Sequence, residues 1–234
     1  MKSLLLLIFW SSVCTAAIPN QNLDEKVVMA LRQPHPIALQ QIEQLGKASH
    51  SVLEKLAFTE KYPMKTRWKA FMLLSISMGE QSIPMVKKAL QSKTWFMRSA
   101  GLVALQSLDP QGAKKWAYRI LNNDPALMVR MKAVEVLQQN PSEEVTELFW
   151  KKVYSADSLH RDKSLWIRSD LAQVLVKDPR KKDLQRWVRL LHDEDKKLQV
   201  IASLALEKLH NNGPDSAHPV SFWQERFPAG QKSL

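Results

Sequence analysis

One pattern constrains this chain more than any other. An Arg, a small residue three places on and a Leu seven places on recur at near-constant intervals. Arg67 is followed by Ala70 and Leu74, Arg98 by Gly101 and Leu105, and Arg130 by Ala133 and Leu137. Arg168 is followed by Leu171 and Leu175, and Gln199, standing in the Arg place, by Ala202 and Leu206. The intervals are 31, 32, 38 and 31 residues. Offsets of three and seven share one face of a helix. The small residue lets a neighbouring helix come close, and the Leu fills the layer beside it. A fixed period of this length marks a unit that buries its apolar face by stacking on copies of itself.

Between these helices lie others with their own start signals. Asp109-Pro110, Asn140-Pro141 and Asp178-Pro179 each set a capping side chain before a Pro, which predicts a helix with Pro at its first position. Ser82, before Ile83-Pro84, has a similar place. Trp116, Trp150 and Trp187 fall 18 to 20 residues after Arg98, Arg130 and Arg168, and that recurrence marks them as core. The expected pairs are 22–32 with 35–46, 49–60 with 64–78, 82–91 with 94–107, 110–122 with 125–138, 141–154 with 163–176, and 179–192 with 195–209. No segment sustains β alternation, so the fold expected over residues 18–210 is all-α, one domain of about six stacked helix pairs.

An Asp precedes the later copies at a constant distance: Asp124 lies six residues before Arg130, Asp162 six before Arg168 and Asp193 six before Gln199. With Arg at the helix start and Ala and Leu downstream, residues 35–209 resemble the HEAT repeat, in the short HEAT-like form associated with phycobilisome lyases. The resemblance implies an α-solenoid in which Asp124, Asp162 and Asp193 form a ladder with Arg67, Arg98, Arg130 and Arg168. Ser92 and Lys61 stand in the Asp place of the earlier copies; Ser92 can cap a helix and Lys61 cannot. The interval of 38 implies an insertion of about seven residues in the turn 155–163. Phe222, Trp223 and Phe227, in the tail 211–234, are expected to fold back over the last repeat.

The first residues, MKSLLLLIFWSSVCTAA, combine Lys2, an apolar run from Leu4 to Trp10 and a small-residue site ending at Ala17. That layout reads as a secretory signal peptide over residues 1–17, in preference to a membrane anchor or a lipid-modified Cys14. Export to a bacterial periplasm is the expected destination. Cys14 is the one cysteine, so the chain beyond residue 17 has no disulfide or thiol chemistry.

No metal-ligand spacing, phosphate loop or nucleophile elbow is present, and paired carboxylates such as Glu143-Glu144 sit at helix starts. The expectation is a non-enzymatic chain with no cofactor and no metal. A net charge of +11 favours acidic partners. The densest basic stretch, PRKKDLQRWVR, contributes Arg180, Lys181, Lys182, Arg186 and Arg189 to an anionic-ligand alternative, either an anionic polymer or nucleic acid, as in DNA glycosylases built from HEAT-like repeats. The preferred reading follows from the resemblance: a protein or peptide partner held on a groove lined by the second helices. Its expected contacts, one, two or five places after each Arg, are Trp68, Lys69, Met72, Val103, Met131, Lys132, Glu135 and Gln173.

Overall fold

A computed structural model describes residues 22–210 and 218–230. The expected signal peptide, residues 1–17 with Cys14, lies outside the described residues, as do 211–217 and 231–234 of the tail. The protein is all-α, with thirteen helices among the described residues. No helix among them is long and apolar enough to cross a membrane.

The chain divides into two compact units, the first ending at Met78 and the second beginning at Gly79, where the repeat count gives one uninterrupted domain. Gly79 takes a positive φ of 54° and opens a 3-10 turn, Gly79–Ser82, so the helical path is broken there. The first unit holds α1 (Leu23–Arg32), α2 (His35–Leu45), α3 (Ala48–Phe58) and α4 (Met64–Met78). In it α1 packs on α2 and α3, and α4 on α3 and α2.

The second unit holds α5 (Ile83–Leu90), α6 (Trp95–Leu108), α7 (Pro110–Asn123), α8 (Leu127–Leu137), α9 (Glu143–Val153), α10 (Trp166–Leu175), α11 (Leu184–Leu191), α12 (Lys196–Leu209) and α13 (Val220–Arg226). Successive helices fold back on one another in pairs, α5 on α6, α7 on α8, α9 on α10 and α11 on α12, through short turns except between α9 and α10. The second members also pack in succession, α6 on α8, α8 on α10 and α10 on α12. At Gly101, a Cβ would stand 3.0 Å from both Leu90 Cγ and its backbone nitrogen, so the small residue three places after Arg98 is what admits α5.

The start signals hold unevenly. Asp109 caps α7 by accepting from the Gly112 N–H at 2.8 Å, and Pro110 is the first helical residue. At α9 the cap is Ser142, which accepts from the Val145 N–H at 3.3 Å, and Pro141 stays outside the helix. After Asp178-Pro179 the chain makes a 3-10 turn, Lys181–Asp183, before α11. Helix α10 begins at Trp166 instead of 163 because the insertion forms a small hairpin, β1 (Leu159–His160) pairing antiparallel with β2 (Lys163–Ser164). Arg161 and Asp162 make its tip, both with left-handed φ, 49° and 63°.

The repeat Arg side chains sit at helix ends, Arg67, Arg130 and Arg168 buried and Arg98 half-buried. Arg98 pairs bidentately with Asp124, Nε to Oδ2 at 2.7 Å and Nη2 to Oδ1 at 2.8 Å. Its Nη1 donates to the Ser92 and Lys93 carbonyls. Arg168 is also bidentate, but end-on, with Nη1 and Nη2 to Asp193 at 3.2 and 2.6 Å, which frees its Nε to donate to the Val153 carbonyl at the end of α9. Arg67 Nε donates to the Ala57 carbonyl of α3. Asp124 and Asp193 each also accept from the N–H two residues on, Ala126 and Asp195, so one carboxylate folds its own turn and receives the Arg of the preceding repeat. Gln199 donates to the Asp193 carbonyl at 2.7 Å.

The expected rung at Asp162 is not there. Asp162 is exposed at the hairpin tip, and Arg130 pairs with Asp157, at 3.0 Å to its carboxylate and 2.9 Å to its carbonyl. Lys152 joins them, donating to Asp157 at 2.9 Å and to the Asn122 carbonyl at 3.1 Å. The insertion carries residue 162 out past the turn and brings Asp157 into its place. Burial pushes the Asp157 carboxyl up, but Lys152, Ser155 and Arg130 together hold it below the ordinary Asp range.

Tail residues close the far end of the second unit. Helix α13 packs on α11 and α12, with Trp223 fully buried. Glu207 of α12 accepts from the Trp223 indole at 2.8 Å and from the His218 N–H at 2.7 Å. Of the three repeating tryptophans, Trp150 and Trp187 are buried edge to face with ring centroids 4.6 Å apart, while Trp116 is only half-buried.

Removing an Asp from a rung leaves a largely buried guanidinium uncompensated. Asp124→Ala is expected to cost about 3 kcal/mol, and Asp162→Ala no more than about 0.5 kcal/mol. Urea unfolding of both variants checks the assignment; equal losses would contradict it.

Candidate functional site

The second helices of the larger unit bury one face and leave a narrow stripe of the other open. Helix α8 shows why: Val129, Ala133, Val134, Val136 and Leu137 go inward with Arg130, which leaves Met131 half-buried and Glu135 exposed. Place five after the Arg is outward on both α8 and α10, whereas place one is open at Met131 and closed on α10, where Ser169 is buried. On α10 the fifth place is Gln173, which is exposed, and on α6 it is Val103, which is half-buried. The second place does not open outward throughout. Ala100 and Ile201 are buried there and Lys132 is half-buried, since inner helices of a stack have neighbours on both flanks.

Applying the same offsets to Gln199 reaches two residues that the sequence reading left out, Val200 and Leu204. They are 51% and 49% exposed; Trp166 on α10 and Met128 on α8, seven residues before Gln173 and Glu135 respectively and so on the same face, are 56% and 46% exposed. The repeat spacing is sufficient to find them, since Gln199 keeps Ala202 and Leu206 at the usual offsets.

Three of the expected groove residues come together. Met131, Val134 and Glu135 of α8 face Asp170, Gln173 and Val174 of α10 across a pocket of about 200 Å³. Lys177 and Gln138 close one end, Nζ to Oε1 at 3.4 Å. Lys132 is paired with Glu135. The expected residues of the first unit divide differently. Trp68 is 40% exposed on α4, while Met72 turns into the core and is only 9% exposed. Lys69 donates to the Leu31 carbonyl at 2.8 Å and to that of Gln33, satisfying the end of α1. Burial, with Lys65 nearby, holds its ammonium below the ordinary Lys value.

The basic stretch 180–189 is largely neutralised from within. Arg180 and Lys182 pair with Glu143, and Arg186 is bidentate to Glu147 at 3.0 and 2.6 Å. Buried Asp183 accepts from Arg180 at 3.0 Å and from Arg186 at 2.9 Å. Three carboxylates thus meet three cations, which leaves Lys181 and Arg189 of the five. Their acidic partners stand 37 to 39 residues earlier, close to the local repeat of 38, so the pairing was readable by shifting the helix one repeat back. The rest of the exposed positive charge is dispersed, as at Lys115 and Arg119 of α7, Lys151 of α9, Arg161 and Lys163 of the hairpin, and Lys196, Lys197 and Lys208 of α12.

The insertion builds a second concavity, an open cavity of about 720 Å³ between the β1–β2 hairpin and the turn from α11 to α12. Its floor is the Arg168–Asp193 pair, already committed to each other. Tyr154 donates to the Arg186 carbonyl at 2.7 Å, and Arg189 lies 4.4 Å over its ring. Burial pushes the Tyr154 phenol well above its ordinary value, so it stays protonated. His192 is tied through Nε2 to the Phe227 carbonyl at 2.7 Å. Groups with these commitments serve as wall and brace, with no nucleophile and base held together. Among the described residues, no group of three or more His, Cys, Asp or Glu is placed to hold a metal ion.

Comparison with known protein families and with curated proteins gives no match for this chain.

The Arg186 hydrogen bond, against some desolvation, holds the Glu147 carboxyl below the ordinary Glu range. A carboxyl depressed on folding adds stability above its unfolded value, near pH 4.3, which is lost as the pH falls through the folded one. Between pH 6 and 3, wild-type stability is expected to fall more steeply than that of Glu147→Gln. Urea titrations across that range check this; parallel curves would show the ion cluster to be idle.

Proposed function

We propose that this protein is an exported, non-enzymatic scaffold of HEAT-like helix pairs, an α-solenoid that holds a protein or peptide partner on the second-helix face of its larger unit. The observation that carries the reading is the pair Val200 and Leu204, about half exposed at the places where α8 and α10 present Met131, Glu135 and Gln173. Single exposed apolar residues are ordinary on any surface. Two of them one turn apart on a single helix, Val200 and Leu204 on α12, make the kind of patch that partners cover. The HEAT reading draws on the recurring Arg, small residue and Leu, and on the helix pairs α5/α6 to α11/α12. Export draws on the composition of residues 1–17 alone. The non-enzymatic reading draws on the lack of a nucleophile and base held together in the cavity beside the hairpin, where Arg168 and Asp193 are paired to each other.

The anionic-polymer alternative loses support from the pairing of Arg180, Lys182 and Arg186 with Glu143, Glu147 and Asp183.

Affinity capture from an envelope extract tests the proposal. The wild-type chain is expected to retain a discrete protein at high salt, and Val200→Asp/Leu204→Asp to lose it. Burial of one such side chain contributes about 1.5–3 kcal/mol, so the double variant should bind more than about tenfold more weakly. Retention unchanged by the double variant, while Arg189→Glu/Lys181→Glu abolishes it, would overturn the reading in favour of charge.

A further inference from the structure

The pocket between α8 and α10 specifies what such a partner presents, given that the second-helix face is the binding surface. At about 200 Å³ it falls below the roughly 300–1,000 Å³ of small-molecule sites and has room for one long side chain. Its floor is apolar: Val134 is 4% exposed, with Met131 and Val174 half-buried beside it. Its two carboxylates differ. Glu135 is held by Lys132, whereas Asp170, half-buried against that floor, has no ion pair or hydrogen bond through its side chain among the described residues.

An apolar side chain in this pocket would strip water from Asp170 and give it nothing in return. An acidic one would meet the like charge of Asp170, and Lys177, at the end of the pocket, already donates to Gln138. A Lys or Arg fits both halves, its methylene stem along Met131, Val134 and Val174 and its charged head on Asp170, with the Gln173 amide as a further acceptor. With Glu135 held by Lys132 and Lys177 turned to Gln138 at the far end, the charge left open over the apolar floor is Asp170, on a chain of net charge +11.

Position along the partner follows from helix spacing. Packed helices lie about 8–10 Å apart, so the α8/α10 seam stands one and a half spacings, roughly 12–15 Å, from α12. An extended peptide advances about 3.3 Å per residue, and residues an even number apart share a side. We propose that the partner binds as an extended segment that places a Lys or Arg in the Met131–Asp170 pocket and a large apolar residue, about four positions away, on Val200 and Leu204.

The test pans a random dodecapeptide display library on the full chain, then measures the best synthetic peptide by fluorescence anisotropy. Enriched peptides are expected to share a Lys or Arg and an apolar residue about four positions apart. Asp170→Asn in the protein and basic residue→Gln in the peptide should each weaken binding about tenfold. The two changes together should do little more than either alone, as for one charge-assisted contact. The peptide change is read on the wild-type protein, so the test stands even if Asp170→Asn misfolds. Peptides without a basic residue, or binding indifferent to both changes yet lost in Val200→Asp/Leu204→Asp, would overturn the pocket assignment and leave the face standing. No enriched peptide, or binding unaffected by any of these variants, would overturn both.

Discussion

A guanidinium buried at a helix end is the interaction on which the larger unit depends. A helix stops with its last carbonyls unpaired, and stacking helix pairs would bury those ends without water. Arg168 answers this with one planar group: Nε takes the Val153 carbonyl of α9, and the two Nη atoms take Asp193 from the next turn. Lys carries a single point charge and cannot cover three acceptors with that geometry. The carboxylate in turn accepts an N–H of its own turn, at Ala126 for Asp124 and at Asp195 for Asp193. Each rung therefore fixes the end of one helix, the turn that follows and the register of the next pair.

How far this was legible in the sequence can be judged rung by rung. Helices read from the Arg, small residue and Leu pattern appear where expected because three and seven places are helix geometry. Asp124 and Asp193 were found by counting back six residues, which works while the turn keeps its length. Counting back from Arg168 crosses the insertion and lands on Asp162, which sits at the tip of a hairpin. Counting forward from Arg130 gives Asp157 at 27 residues, beside the 26 of Arg98 to Asp124 and the 25 of Arg168 to Asp193. Chain distance from the Arg was the better ruler, because the Arg pairs forward with the next repeat.

The same blindness to partners one repeat away explains the basic stretch. On its own helix PRKKDLQRWVR has one acid, Asp183, and looks unbalanced. Glu143 and Glu147 balance it from α9. Charge counted along one helix misleads in a stack, where the neighbouring copy is as close as the next turn. Groove residues were partly legible for a related reason. The helix alone gives the face, but whether a place on it opens depends on how tightly the flanking helices close, as buried Ser169 at place one and Met72 at place five show. Lys69 was legible as a surface residue only; nothing local shows that its ammonium reaches the last carbonyls of α1.

Structure and function connect through that rigidity. With the rungs carrying the turns and Trp150, Trp187 and Trp223 filling the layers, the outer stripe of α8, α10 and α12 is not needed for folding. Val200, Leu204 and Asp170 lie on that stripe. The most direct measurement is site-specific photo-crosslinking in the source cell, with a benzophenone side chain at Gln173, at Leu204 or, on the first-helix side, at Lys151. The account predicts one discrete adduct, the same from Gln173 and Leu204 and missing from Lys151. An adduct from Lys151 alone would contradict it.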